Sequence, residues 1–217
     1  MTADKLTLHY APHTRASIAR ILLDELGAAH ELNVLNMHAG ELKSAAYLAI
    51  NPLGKVPALT HGDTVVTESV AIALYLGDLF PQAGLTPLAG DPRRGAYLRW
   101  MVFYAACFEP AVGDKSLGHV PPAMQSAYGS YDGVIALLAD QLGKAPYMLG
   151  DALTVADIQW AAAQIQAAHG VKLEHVKIGD AAGVVRRVRA EKEASRGAGE
   201  GTVDLIWING ENFAAMK

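Results

Sequence analysis

Cysteine is almost missing from this 217-residue chain: Cys107 stands alone. A single cysteine excludes a disulfide within the chain and a Cys-x-x-Cys redox pair. It lies in the apolar stretch from Trp100 to Phe108, where a free thiol is expected in the core. Charge is sparse too. Charged residues make up 18% of the chain against 51% hydrophobic, and the net charge is −4. Basic clusters interleaved with aromatics are also missing, so neither nucleic acid nor an anionic membrane is an expected partner. No uninterrupted apolar run reaches the ~20 residues of a membrane span. The polar start, Met1 to Lys5, lacks the apolar core of a signal peptide. These absences lead to a cytoplasmic expectation. What is present, a long and mostly apolar chain, suffices for one large or two small globular domains.

The first eighty residues alternate between two hydrophobic periods. Leu6 to Tyr10 alternates and reads as a strand ended by Pro12. Arg15 to Leu26 carries Ile18, Ile21, Leu22 and Leu26 at helical spacing, with Gly27 as its stop. His30 to Leu35 alternates again, and a parallel strand after a crossover helix is the expected geometry. Glu41 to Ala49 is a short helical candidate, followed by turn chemistry from Asn51 to Lys55. Val56 to Thr60 and Thr64 to Val66 read as a hairpin around His61-Gly62-Asp63. Thr67 is the expected cap of a helix running to Leu79.

Strand, helix, strand, helix, strand, strand, helix, with Pro57 opening a strand, is the thioredoxin-like order. A proline within a strand is normally a fault. It is sensible if the Val56-Pro57 bond is cis, because the Val56 backbone then faces a partner instead of a neighbouring strand.

At this point a family resemblance appears. Asn51-Pro52-Leu53-Gly54-Lys55-Val56-Pro57-Ala58-Leu59, followed by Thr67-Glu68-Ser69-Val70-Ala71-Ile72, resembles the glutathione-binding core of glutathione transferases. The resemblance implies that Val56, before cis-Pro57, pairs its backbone with the cysteinyl part of glutathione. It implies that Glu68 and Ser69 hold the γ-glutamyl amine and carboxylate. A helix N-terminus suits a carboxylate, since its N–H groups are unpaired and its dipole is positive there. Taken alone, Glu68-Ser69 is equally an ordinary capping pair. Lys55 is a candidate for the glycine carboxylate, or else a solvated turn residue, and His38 is a weaker candidate for the same work.

The chemistry needs a group that favours the glutathione thiolate over the thiol, whose pKa is near ~8.5. The resemblance places that group between His9 and Ser17 and makes it a Tyr, Ser or Cys. Here Thr14 and Tyr10 are the candidates, with Ser17, His13, Arg15 or a backbone N–H remaining open; no Cys lies in that segment. Tyr10 also reads as a core residue of its strand.

Residues 1–80 are therefore expected to form an α/β thioredoxin-like domain, 81–91 a linker and 92–158 an all-α domain. Asp91-Pro92 starts a helix whose apolar run extends from Tyr97 to Val112, a second helix spans Pro122 to Leu142, and Thr154 to Asp157 forms a capping box. Tyr97, Trp100, Met101, Tyr104 and Phe108 line either a pocket for the electrophile or the core. From about 159 to 217 the pattern changes: Val171 to Ile178 reads as a strand, Ala181 to Glu193 as a charged helix and Thr202 to Ile208 as another strand. On the stretches Gly170 to Asp180 and Val203 to Phe213, that atypical tail resembles a fragment of a periplasmic solute-binding protein of an ABC importer, as a joined reading frame would produce. The expected activity is conjugation of glutathione, as co-substrate and without a metal, to small hydrophobic electrophiles, or its use in peroxide or disulfide reduction, by a homodimer. A non-catalytic glutathione-binding or scaffold protein is the alternative.

Overall fold

The computed structural model describes residues 5–160. Strand β1 (Leu6–Tyr10) leads into helix α1 (Ala16–Glu25) and strand β2 (Glu31–Val34). A 3₁₀ turn (Glu41–Lys43) and the short α2 (Ala45–Leu48) precede the hairpin of β3 (Ala58–His61) and β4 (Thr64–Thr67). Helix α3 (Ser69–Leu79) closes this half. The sheet order is β2-β1-β3-β4, with β1 parallel to β2 and antiparallel to β3. This is the thioredoxin-like order the sequence implies, and Val56-Pro57 is cis.

Two local expectations are corrected. Thr67 is not a helix cap but the last residue of β4; Glu68 takes the cap position with φ 69°. β3 begins at Ala58, after the proline, because Pro57 has no N–H to give to a ladder.

Helix α4 (Arg94–Phe103), a π-helical turn (Tyr104–Phe108) and α5 (Glu109–Ser116) run on without interruption. The expected helix was regular here. Pro110 lacks an N–H, and its ring crowds the carbonyl of Ala106 four residues back, so the backbone widens before it. The Glu109 N–H accordingly donates to the carbonyl of Tyr104, five residues earlier. The expected helix from Pro122 is shorter: α6 spans Tyr131–Leu142. Gly129 at φ 75° breaks the chain before it, and the Ser130 hydroxyl accepts from the Gly133 N–H at 3.1 Å to start the helix.

A single apolar core runs from Leu8, Leu22 and Leu76 beside the sheet to Tyr97, Trp100, Tyr104 and Trp160 among the helices. The five aromatic and methionine side chains from Tyr97 to Phe108 named above are all buried, so they are core. Cys107 is only half-buried, which corrects the expectation of a fully buried thiol. Across 81–91, Arg94 clamps Asp78 through two bonds of 2.7 and 2.9 Å and donates a third to the Pro87 carbonyl at 2.9 Å. That clamp ties α3 to the start of α4.

A last helix opens at 155, and its residues Gln159 and Trp160 are wholly buried. Of the expected capping box, in which Thr154 caps the Asp157 N–H and the Asp157 carboxylate returns to the Thr154 N–H, the return bond is present and the hydroxyl bond is not. Asp157 accepts from the Thr154 N–H and hydroxyl, both at 2.8 Å, and from the Met148 N–H at 2.6 Å. Thr154 therefore donates its hydroxyl proton to Asp157 instead of capping the Asp157 N–H. The expected strands at 171–178 and 202–208, and the helix between them, lie outside the described residues.

Candidate functional site at the open end of the sheet

The sheet register gathers the candidate residues. His9 pairs with Ala58, and Ala58 pairs with Thr67. Following both registers past their last pairs brings Ala11 toward Val56 and Glu68 toward Pro57. The loop 11–15, the cis Val56-Pro57 bond and the Glu68-Ser69 start of α3 therefore leave the sheet at the same end. Residues distant in sequence meet there because β1 and β3 run antiparallel.

The turn before Pro57 is held by groups that the sequence reading missed. The Lys55 carbonyl accepts from the Tyr47 hydroxyl at 2.5 Å and from the Asn51 amide at 2.8 Å. Tyr47 and Asn51 are buried, whereas the Lys55 side chain is exposed. Lys43 donates to the Leu53 carbonyl at 3.1 Å. Gly54 has φ 60°, and a Cβ there would stand 2.6 Å from the Leu42 carbonyl oxygen. Only glycine suits that position, on both steric and dihedral grounds. The signal was the Asn-Pro-Leu-Gly turn itself, whose Asn51 and Gly54 serve geometry.

Glu68 is exposed and Ser69 half-buried. Glu68 takes a dihedral pair, φ 69° and ψ 122°, that side-chain-bearing residues seldom occupy. Its side chain makes no capping bond to α3. The first intrahelical bond runs from the Ile72 N–H to the Glu68 carbonyl at 2.9 Å. The N–H groups of the helix's first turn thus point out of the sheet end without a cap from Glu68, as an anion requires.

The thiol candidates separate clearly. The Thr14 hydroxyl donates to the Ala11 carbonyl at 2.7 Å and accepts from the Ala16 N–H at 3.2 Å. A hydroxyl has one proton, so in this arrangement Thr14 closes the loop. The half-buried ring of Tyr10 packs against the core with the Arg20 guanidinium 5.8 Å from its centroid, a turn beyond the start of α1. Arg15 stands at the N-cap of α1 and pairs through Nη2 with Glu109 Oε2. Glu109 in turn accepts from the buried Tyr104 hydroxyl through Oε1. The hydrogen bond to Glu109 raises the Arg15 pKa above its ordinary value. Burial, followed by the Glu109 charge, pushes the Tyr104 phenol well above the usual tyrosine range. Both groups are held protonated. Among the described residues no His, Cys, Asp and Glu side chains gather closely enough to hold a metal ion, and no helix is long and apolar enough to cross a membrane.

Known proteins resemble this chain in sequence and in fold. The family model for the glutathione S-transferase N-terminal domain matches residues 5–78. Glutathione S-transferase F13 of Arabidopsis thaliana is 30% identical over 164 residues, 69% of this chain and 74% of that protein. A glutathione transferase of Methylococcus capsulatus strain Bath superposes with a TM-score of 0.62 at 30% identity, covering 74% of this chain and 82% of that one. A Sulfitobacter glutathione transferase homologue, solved with bound glutathione, gives 0.60 at 26% identity, covering 76% and 83%. The chain belongs to the glutathione S-transferase family. These matches give no support to the resemblance of 159–217 to a solute-binding protein.

Proposed function

We propose that the protein binds glutathione at the open end of its sheet and conjugates the thiolate to small hydrophobic electrophiles, or uses it to reduce peroxides or disulfides. The convergence of the Val56-Pro57 turn, the Glu68-Ser69 helix start and the loop 11–15 carries this reading. The relatives named transferases support it, as does the homologue solved with glutathione. In this reading the Val56 backbone pairs with the cysteinyl unit, next to Pro57. The Ser69 hydroxyl and the start of α3 take the γ-glutamyl carboxylate, Glu68 takes its ammonium, and the exposed Lys55 reaches the glycine carboxylate. The protein works as a homodimer in the cytoplasm.

A second reading, glutathione binding without catalysis, is favoured by one observation: the proton of the Thr14 hydroxyl is committed to Ala11. Titration calorimetry and a conjugation assay on an activated aryl halide separate the two. Glu68→Ala and Ser69→Ala are each expected to weaken glutathione binding by about 1–3 kcal/mol. Unchanged affinity in both variants would remove the site assignment, and binding without conjugation would favour the second reading.

A further inference from the structure

The peptide that precedes Val56 is held from inside. The Lys55 carbonyl accepts from two buried residues at once, from the Tyr47 hydroxyl at 2.5 Å and from the Asn51 side-chain amide at 2.8 Å. Both donors come from one short stretch of chain. The Ser44 hydroxyl caps α2 by accepting from the Tyr47 N–H at 3.2 Å, and the Asn51 N–H donates to the Tyr47 carbonyl at 2.9 Å. The Tyr47 ring packs on His9 of β1 with centroids 5.9 Å apart. Burial raises its phenol pKa, so the hydroxyl keeps its proton. Val56-Pro57 is the one cis bond among the described residues, so the Lys55-Val56 peptide is trans. In a trans peptide the C=O and the N–H point in opposite directions. A Lys55 carbonyl turned in toward Tyr47 and Asn51 therefore turns the Val56 N–H outward. No group among the described residues accepts from that N–H, although Val56 is half-buried. A backbone donor in such a place calls for a partner.

We propose that Tyr47 and Asn51 are positioning residues for glutathione, holding the Lys55-Val56 peptide so that its N–H is presented to the cysteinyl carbonyl of the ligand. This rests on the glutathione-binding reading above. A turn without inner anchors would rotate this peptide plane freely, and binding would have to order it at a cost in affinity. The two bonds to the Lys55 carbonyl make that order a property of the fold. Both side chains are buried behind the carbonyl, so they act through the backbone and not by contact with the ligand. In the same reading the γ-glutamyl end is held separately, at the start of α3. The loss from either substitution should therefore fall on the cysteinyl carbonyl alone.

The test is calorimetry of each protein with two ligands: glutathione, and an alkene isostere of its cysteinyl-glycine amide, which has no cysteinyl carbonyl. The wild type should bind the isostere about three- to tenfold more weakly, the loss of one neutral hydrogen bond. Tyr47→Phe, which keeps the buried ring, and Asn51→Ala should each bind glutathione about threefold more weakly or worse. Both should bind the isostere as the wild type does. A merely structural role would weaken both ligands alike, and that result overturns the proposal. Unchanged glutathione affinity in both variants overturns it too, and a selective loss in one variant only overturns the role of the other residue. Should Asn51→Ala fail to fold, the two ligands on Tyr47→Phe decide. Equal affinity of the wild type for both ligands overturns the proposal together with the Val56 pairing and leaves the α3 end of the site standing. No glutathione binding by the wild type overturns the functional reading and this inference with it.

Discussion

Asn33 of β2 donates its side-chain amide to Nδ1 of His9 on β1 at 2.9 Å. Nδ1 is therefore an acceptor, and the ring carries its proton on Nε2, which faces the Thr60 hydroxyl on β3 at 3.4 Å. One imidazole thus links three of the four strands through its neutral form, and burial lowers its pKa from the ordinary 6.5.

That arrangement makes stability depend on pH in a defined direction. The unfolded chain protonates His9 more readily than the folded one, so the contribution is whole above the unfolded value near 6.5 and declines as the pH falls below it. Urea unfolding between about pH 7 and pH 5 should show stability decreasing with acid, His9 supplying at most about 1.4 kcal/mol per pH unit. The His9→Gln variant should show a shallower slope. Parallel slopes in the two proteins would show that His9 is not the titrating group.

Glu68 sets stability against binding. Its left-handed dihedral is of the kind that costs a side-chain-bearing residue about 1–3 kcal/mol, and glycine adopts it freely. Glu68→Gly is therefore expected to raise or hold the unfolding midpoint while glutathione affinity falls. A lower midpoint would mean that Glu68 supports the fold through its side chain, and the strain argument would fail.

Asp157 has a structural task. Burial raises its pKa, and the hydrogen bonds from Met148 and Thr154 oppose that rise. Truncation in Asp157→Ala would strand three buried donors, so a loss of about 1–3 kcal/mol is expected by chemical denaturation. Calorimetry should find glutathione affinity little changed, provided the measurement is made well below the unfolding midpoint. A variant as stable as the wild type would show that water replaces the carboxylate.

The local half of this architecture was legible in the sequence. Leu6–Tyr10 forms the expected strand because alternation and Pro12 define it without help from the rest of the chain. The Val56-Pro57 turn was readable because a proline before an alternating run has few sensible placements. The residues that escaped notice act at long range. Nothing between Arg15 and Glu109 announces their pairing, since an ion pair across 94 residues leaves no periodicity. Tyr47 and Asn51 looked like helix and turn residues, and their task became visible only once the Lys55 carbonyl was seen between them. The roles of Thr154 and Asp157 were assigned to the right pair with the hydroxyl bond reversed, because a pattern of residue types does not say which group donates.

The π-helical turn sets the bearing of everything after it. An α-helix advances about 100° per residue, and a turn closed five residues back holds one residue more than its neighbours. The buried face along Tyr97, Trp100 and Tyr104 nevertheless continues past it to Phe108 and Ala111, so the extra residue is taken up within the widened turn. The carboxylate that meets Arg15 occupies the first place after that turn, so the contact between the two halves of the molecule is a matter of counting as much as of charge.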